Sequence, residues 1–152
     1  MPKASVKRLI ECKKKDLIDL VLDIEKYPEF VPFCFDAKIY ENKNEGDLIK
    51  IIADLTIGKG PFKDTYKSDV VFNKKKDSIF VKNIDGPLTH LSNNWIFTDK
   101  MNGITEVIFD IDFEIKNKFL NSLMVVSFQF GLEKIADSFQ KRAKELFGNS
   151  KN

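Results

Sequence analysis

Reactive side chains are scarce in this chain. Histidine occurs once, at His90, and cysteine twice, at Cys12 and Cys34. A Cys/His zinc centre needs about four such ligands, so none is expected. Two cysteines do not make a disulfide framework. Arginine is confined to Arg8 and Arg142, every other basic residue being lysine. Bidentate reading of base edges favours the guanidinium fork, so no specific DNA partner is expected. An excess of either charge is missing too. The formal net charge is +2, which calls for no strong electrostatic partner. No stretch reaches the roughly 18 apolar residues of a membrane span. The N-terminal MPKASVKRLIECKKKD has no apolar signal segment. The expected location is cytoplasmic, with peripheral contact at the inner membrane left open.

What the chain has in excess is phenylalanine, 14 in 152 residues. Two readings stand side by side: a Phe-rich packed core, or an apolar cavity large enough for a guest. A chain of this length fits one domain, residues 1–152, with a core that needs no staples.

Ser5–Glu11 reads as a first strand. Residues 13–26 place Leu17, Ile18, Val21, Leu22 and Ile24 at near-helical spacing. Asp16 suits the positive end of that helix, and Pro28 turns Tyr27 away from the helical region and ends it. The stretch 27–34, YPEFVPFC, sets two prolines among large apolar side chains. Pro28 fits a first helical position. Tyr27, Phe30, Val31 and Cys34 then share one face, and Pro32 stops the turn from propagating. The expectation is a short, stiff, greasy lid, or alternatively a plug at one end of the core.

From there the period becomes two. Ala37–Glu41 alternates, and residues 44–47 turn. Residues 48–57 put Ile49, Ile51, Ala53, Leu55 and Ile57 on one face, and residues 58–61 break the chain. Residues 62–72 put Phe62, Tyr66, Val70 and Phe72 on one side. Lys74–Asp77 turns, Ile79–Ile84 extends, and DGP at 85–87 turns again. Thr89 is a weak start to an apolar face that Leu91, Trp95 and Phe97 continue. Asn102-Gly103 is the strongest hairpin signal. TEVIFDIDFEI, residues 105–115, alternates without a break, as in an antiparallel sheet with one wet face. Residues 118–147 read as one helix about 45 Å long, with Met124, Phe128, Leu132, Ile135, Phe139, Ala143 and Leu146 on its apolar face and Gly148 as its cap. Its start, FLNSLMVVSFQFGL, is apolar nearly all round. The predicted fold is therefore α+β: a curved antiparallel sheet of six to seven strands gripping a long C-terminal helix, with two short helices after the first strand. One helix does not cover so wide a sheet while it is flat, so the sheet curls and leaves a space.

Candidate polar groups are few. Asp110, Asp112 and Glu114 share a strand face; they read as a solvated face paired to Lys63, Lys67 or Lys82, or as a cation site. His90 stands without a nucleophile. Asn93 shares the parity of Trp95 and Phe97, so its amide faces inward, bonded to backbone or offered to a ligand. The Tyr66 hydroxyl raises the same alternative.

Five blocks in order carry a resemblance: YPEFVPFC, DGP, LSNNWIF (91–97), TEVIFDIDFEIKN (105–117) and ADSFQKRAKELFG (136–148). Together they resemble the coenzyme Q-binding protein family of the START-like, polyketide-cyclase-like superfamily, which has the helix-grip fold. Bacterial members of that family include ribosome-association toxins. Relatives often carry Phe at Leu88, an aromatic at Lys59 and arginine at Asp69. The resemblance implies a deep apolar cavity holding an isoprenoid quinone such as ubiquinone or another lipid, in support of respiratory electron transfer and without catalysis. The alternative it implies is binding to the large ribosomal subunit and blocking of subunit joining. A cyclase or hydrolase, known in the superfamily, would need an inward acid–base pair that the sequence lacks. On the quinone reading, Leu55, Ile57, Phe62, Tyr66, Asn93, Trp95 and Phe97 line the cavity from the earlier strands. Phe109, Ile111 and Phe113 line it from the last strand, and Phe128, Leu132 and Phe139 from the helix. Tyr27, Phe30, Pro32 and Phe33 form the gate. No metal or soluble cofactor is expected; the quinone is a bound ligand.

Overall fold

The computed structural model describes residues 3–148 apart from Gly60 and Pro87, with all their side chains except those of Lys59, Phe62, Leu120 and residues 123–128. Seven strands form one antiparallel sheet: β1 (Lys3–Glu11), β2 (Cys34–Glu45), β3 (Leu48–Lys59), β4 (Phe62–Asn73), β5 (Ser78–Asp85), β6 (Leu88–Asp99) and β7 (Ile104–Ile115). Their order across the sheet is β1-β7-β6-β5-β4-β3-β2. Strands β2 to β7 form a meander, and β1 adds to its far side. Thus β1 and β2, neighbours in sequence, lie at opposite edges. The connection between them must cross the width of the sheet. It does so as α1 (Lys14–Leu22), a 3-10 turn (Ile24–Lys26) and α2 (Tyr27–Phe30). The long helix α3 (Lys118–Ala143) follows β7 and packs chiefly on β1.

The period-two face is the buried one. Ile51 and Ala53 of β3, Tyr66, Val70 and Phe72 of β4, Leu91, Trp95 and Phe97 of β6, and Val107, Phe109 and Phe113 of β7 all enter the core. Leu17, Ile18, Leu20 and Val21 of α1 and Leu132, Ala136, Phe139 and Ala143 of α3 close over it. Lys14 secures α1 at its start, bridging Asp77 at 2.7 Å and Asp99 at 3.0 Å from two turns of the sheet. The Asn102-Gly103 turn adopts the left-handed backbone its sequence signals, with φ of 63° and 72°.

Four expectations are corrected. The first helix stops at Leu22, where Asp23 leaves the helical region and a tighter turn carries Ile24 into the core; Pro28 does not end it, since Tyr27 stays helical at φ −53° and ψ −41° and opens α2. Thr89 is exposed and Leu88 takes the inward place, because the register shifts between Leu88 and His90 and the extra residue of the bulge flips the parity. The long helix ends at Ala143 and widens into a π turn over Lys144–Gly148. That wider turn packs Phe147 against the core and leaves Leu146, expected inside, 53% exposed. Finally, Asp110 and Asp112 do not meet Lys63, Lys67 or Lys82, because β7 lies between β1 and β6. Asp110 accepts from the Ser5 hydroxyl at 2.5 Å, and Asp112 faces Lys3 at 4.0 Å and His90 at 3.6 Å.

Candidate ligand site

YPEFVPFC spans the opening of the grip. The turn Ile24–Lys26 and α2 rest on β2 at one edge of the sheet, and α2 also touches α3, which sits over the other edge. Aromatic edges make the second contact. The Phe139 ring lies 5.4 Å from Tyr27 and 5.2 Å from Phe30, both edge to face. On its other side Phe139 meets Trp95 at 5.2 Å, and Trp95 stacks on Phe109 at 4.3 Å. The lid is thus the outer end of an aromatic chain that runs into the sheet. Pro32 ends α2 as its missing N–H requires. Phe33 is forced to a φ of 69°, which is strained for a side chain of this size. Its carbonyl accepts from the Gly58 N–H at 2.9 Å, and its ring comes up to Gly131 of α3. The lid is therefore pinned to the end of β3 as well.

The structure divides the expected lining into two groups. Trp95, Phe97, Phe109, Phe113, Leu132 and Phe139 are fully buried. The void left beside Trp95, Phe109 and Phe139 is about 10 Å³, room for roughly one water. That region, around Trp95, Phe109 and Phe139, is packed core. Elsewhere Leu55, Ile57 and Ile111 keep the inward parity but are only half-buried, as are the gate residues Tyr27, Phe30, Pro32 and Phe33. Tyr66, itself buried, pairs with Leu55 across β3 and β4. The side chains of Phe62 and Phe128 lie outside the described residues.

Tyr66 is held from above by the DGP turn. A side chain at Gly86 would start 2.7 Å from the Tyr66 Cβ and 2.8 Å from its Cα, so only glycine permits this approach, and its φ of 130° also needs one. Burial pushes the Tyr66 phenol well above the usual range, with the Cys34 thiol adding to the shift. Burial does the same to Tyr27, with Tyr66 and Cys34 nearby. The Tyr27 hydroxyl donates to the Val21 carbonyl. The Tyr66 hydroxyl has no hydrogen-bond partner among the described residues.

Residues 11–140 match the family described as polyketide cyclase / dehydrase and lipid transport. The chain belongs to that family. Its fold is START-like: a START superfamily protein from Mycobacterium smegmatis superposes with a TM-score of 0.76 over 95% of this chain and 98% of its own, at 18% identity. The ribosome association toxin RatA of Rickettsia prowazekii is 32% identical over 142 residues, 91% of this chain and 94% of its own. The mitochondrial coenzyme Q-binding protein COQ10 of Dictyostelium discoideum is 33% identical over 135 residues, 86% of this chain and 63% of its own. Both names attached to the resemblance read from the five sequence blocks are thus found among the relatives.

In this member of the polyketide cyclase / dehydrase and lipid transport family, the buried polar groups of the described residues are spent on structure. They are Ser68, Asn93 and Thr105. Ser68 donates to the Ala53 carbonyl at 3.1 Å and Thr105 to the Cys12 carbonyl at 2.7 Å. Asn93 donates to the Asp110 carbonyl at 2.8 Å and accepts from the Trp95 indole at 3.0 Å. It faces inward as its parity requires, and its amide locks Trp95 to β7. Burial raises the Cys12 and Cys34 thiols to about 11, which keeps both protonated and poorly nucleophilic. His90 is on the outer face with Asp112. Among the described residues no cluster of His, Cys, Asp or Glu is arranged to hold a metal, and no helix is long and apolar enough to cross a membrane. What sequence reasoning missed is Arg142. Its guanidinium carbon lies 5.1 Å from the centre of the Phe30 ring and its Nη2 lies 2.7 Å from Glu29, both on the lid. The scarcity of arginine was the available signal.

Proposed function

We propose that this chain holds a lipophilic isoprenoid quinone such as ubiquinone beneath the lid and leaves it chemically unchanged, in support of respiratory electron transfer. The observation that carries the reading is the contrast across the inner face. Around Trp95, Phe109 and Phe139 it is packed shut, whereas Leu55 and Ile57 of β3 and Ile111 of β7 point inward and are still only half-buried. A polyprenyl tail would cover that apolar surface, each buried methylene contributing about 0.8 kcal/mol. The Tyr66 hydroxyl is the natural donor to a quinone carbonyl, since apolar sites orient a ligand with few polar groups. Ser68, Asn93 and Thr105 already serve backbone or Trp95, and the thiols are held protonated, which favours binding over catalysis. The COQ10 relative supports the ligand class. Organic extraction of the purified chain followed by mass spectrometry is expected to yield quinone, and the emptied protein is expected to take up added ubiquinone. Repeated absence of quinone or other lipid together with no uptake overturns the proposal.

A second reading, association with the large ribosomal subunit, draws on the near full-length match to the Rickettsia RatA. Its electrostatic support is thin. Lys74 bonds to Asn44 and to the Gly46 carbonyl, Lys75 pairs with Asp47, and Lys67 pairs with Asp54. Co-sedimentation with large subunits at low salt would favour this reading; no association there removes it.

A further inference from the structure

We propose that the cleft between α2 and the last turns of α3 binds a phosphate group, and that its occupation releases the lid. The cleft has a volume of about 570 Å³ and runs between Glu29, Phe30 and Pro32 on the lid and Lys134, Lys141 and Arg142 on the helix. Lys134, Lys141 and Arg142 stand at i, i+7 and i+8, so they share one face of α3. Among the described residues, Lys134 and Lys141 make no ion pair; Lys134 rests its ammonium over the Phe130 ring at 4.7 Å. Asp137, on the same wall, is already neutralised by Arg8 of β1 at 2.9 Å. The cleft also holds Glu29 and Glu145, both paired to Arg142, so Lys134 and Lys141 are its cations without an ion pair among the described residues.

Arg142 is the pivot. Its fork has five donors in one plane and suits an acceptor that takes two at once. Glu29 takes only Nη2, at 2.7 Å, while Nη1 lies 4.0 Å from Glu145. Its Nε–H is buried and has no partner. A phosphate has the oxygens to take Nε–H and Nη–H together and a lysine ammonium besides. Bidentate binding through Nε and Nη2 competes with Glu29 for Nη2, and so with the contacts that hold Glu29 and Phe30 beside the guanidinium. Glu29 is not stranded by this exchange, because Lys26 stands 3.7 Å away on the lid itself. Besides this latch the lid meets α3 at Phe139 and Gly131, and α2 is four residues long and contains no fully buried residue. An anion that binds only the displaced state must shift the lid toward opening.

Inorganic phosphate and the headgroup of an anionic phospholipid present the same chemistry to this site. For the purpose of the switch, opening where lipophilic ligands reside, the inference rests on the quinone reading, but its test uses no quinone. Amide exchange at Val31, bonded to the Tyr27 carbonyl at 2.8 Å, and at Gly58, bonded to that of Phe33 at 2.9 Å, reports lid closure. The full chain is mixed with phosphatidylcholine vesicles, with or without phosphatidylglycerol, or with inorganic phosphate. Phosphatidylglycerol vesicles are expected to bind and to speed exchange at both amides about tenfold, less so as salt rises. Arg142→Gln should bind about tenfold more weakly and lose the response. Glu29→Gln should exchange quickly with no anion present. Lys141→Gln keeps the latch, so its resting exchange should match the parent while its vesicle affinity falls. A response to inorganic phosphate alone supports the site and names its source. Equal binding by the parent, Arg142→Gln and Lys141→Gln, or unchanged exchange under both anions, overturns the proposal. An anion response in a protein that never takes up quinone leaves this site standing and removes the quinone reading instead.

Discussion

Two inward residues, Tyr66 and Asn93, look alike in sequence and part company in the fold. The Asn93 amide is committed at both ends, to the Asp110 carbonyl and the Trp95 indole. Replacing it with alanine leaves the indole N–H buried without an acceptor. Asn93→Ala should therefore cost about 1–3 kcal/mol of stability, read as a lower urea midpoint with an unchanged slope. Tyr66→Phe keeps the ring under Gly86 and removes a hydroxyl that bonds to no described residue. It should leave the midpoint within about 0.5 kcal/mol and weaken ubiquinone binding by up to about tenfold, the worth of one hydrogen bond. Equilibrium titration of the emptied protein with quinone checks it. Quinone affinity unchanged by Tyr66→Phe would take Tyr66 out of the site.

The lid is where element and site meet. Phe30 touches Phe139 and Arg142, and Phe33 reaches Gly131, yet both rings are only half-buried. A plug and a gate predict different losses. If the lid is a gate, Phe30→Ala with Phe33→Ala should cost about 1–2 kcal/mol, below the 3–5 kcal/mol of a fully buried Phe, while bound quinone dissociates several-fold faster. A large stability loss with unchanged quinone dissociation would make it a plug. The sequence carried the lid, because Pro28 and Pro32 fix its length and Tyr27, Phe30 and Val31 its greasy face. It carried β7 just as clearly, since an unbroken period of two leaves little freedom. It did not carry the bulge that brings Leu88 in and turns Thr89 out, because an extra residue is visible only against a partner strand. Nor did it reveal that Phe147 replaces Leu146: an α turn from Ala143 reaches both, and only the wider π turn separates them. Hydrogen-bond partners such as Ser5 for Asp110 needed the strand order, which puts the first strand beside the last. Much of the expected lining is fully buried for a related reason. Parity says which way Trp95 and Phe109 point, and the position of α3 over β1 decides what they meet.

At the scale of the whole molecule, the desolvated thiols and phenols give folding a one-sided pH dependence. Cys12 and Cys34 are raised from the usual 9.0 to about 11, and Tyr27 and Tyr66 are raised as well, each chiefly by burial. These groups stay neutral in the folded chain and lose their protons first in the unfolded one. Between pH 9 and 11 the unfolded state therefore binds fewer protons, so stability falls as pH rises. Below about pH 9 their contribution is complete. The slope is at most about 1.4 kcal/mol per pH unit for each fully buried group, and less for half-buried Cys34. Urea unfolding should thus be insensitive to these groups at pH 7–8 and weaken steadily above about pH 9. Cys12→Ala should flatten part of that decline. Ultraviolet titration gives an independent reading, because the chain has three tyrosines. Tyr40 is exposed, its phenol raised chiefly by its hydrogen bond to Asp54. It should ionise in the native state, whereas Tyr27 and Tyr66 should ionise only as the chain unfolds. Bound quinone would stabilise the folded chain and move the second step to higher pH. Simultaneous reversible ionisation of all three tyrosines in the folded chain would mean that water reaches Tyr66 freely, and the proposed ligand site at Tyr66 would have to be abandoned.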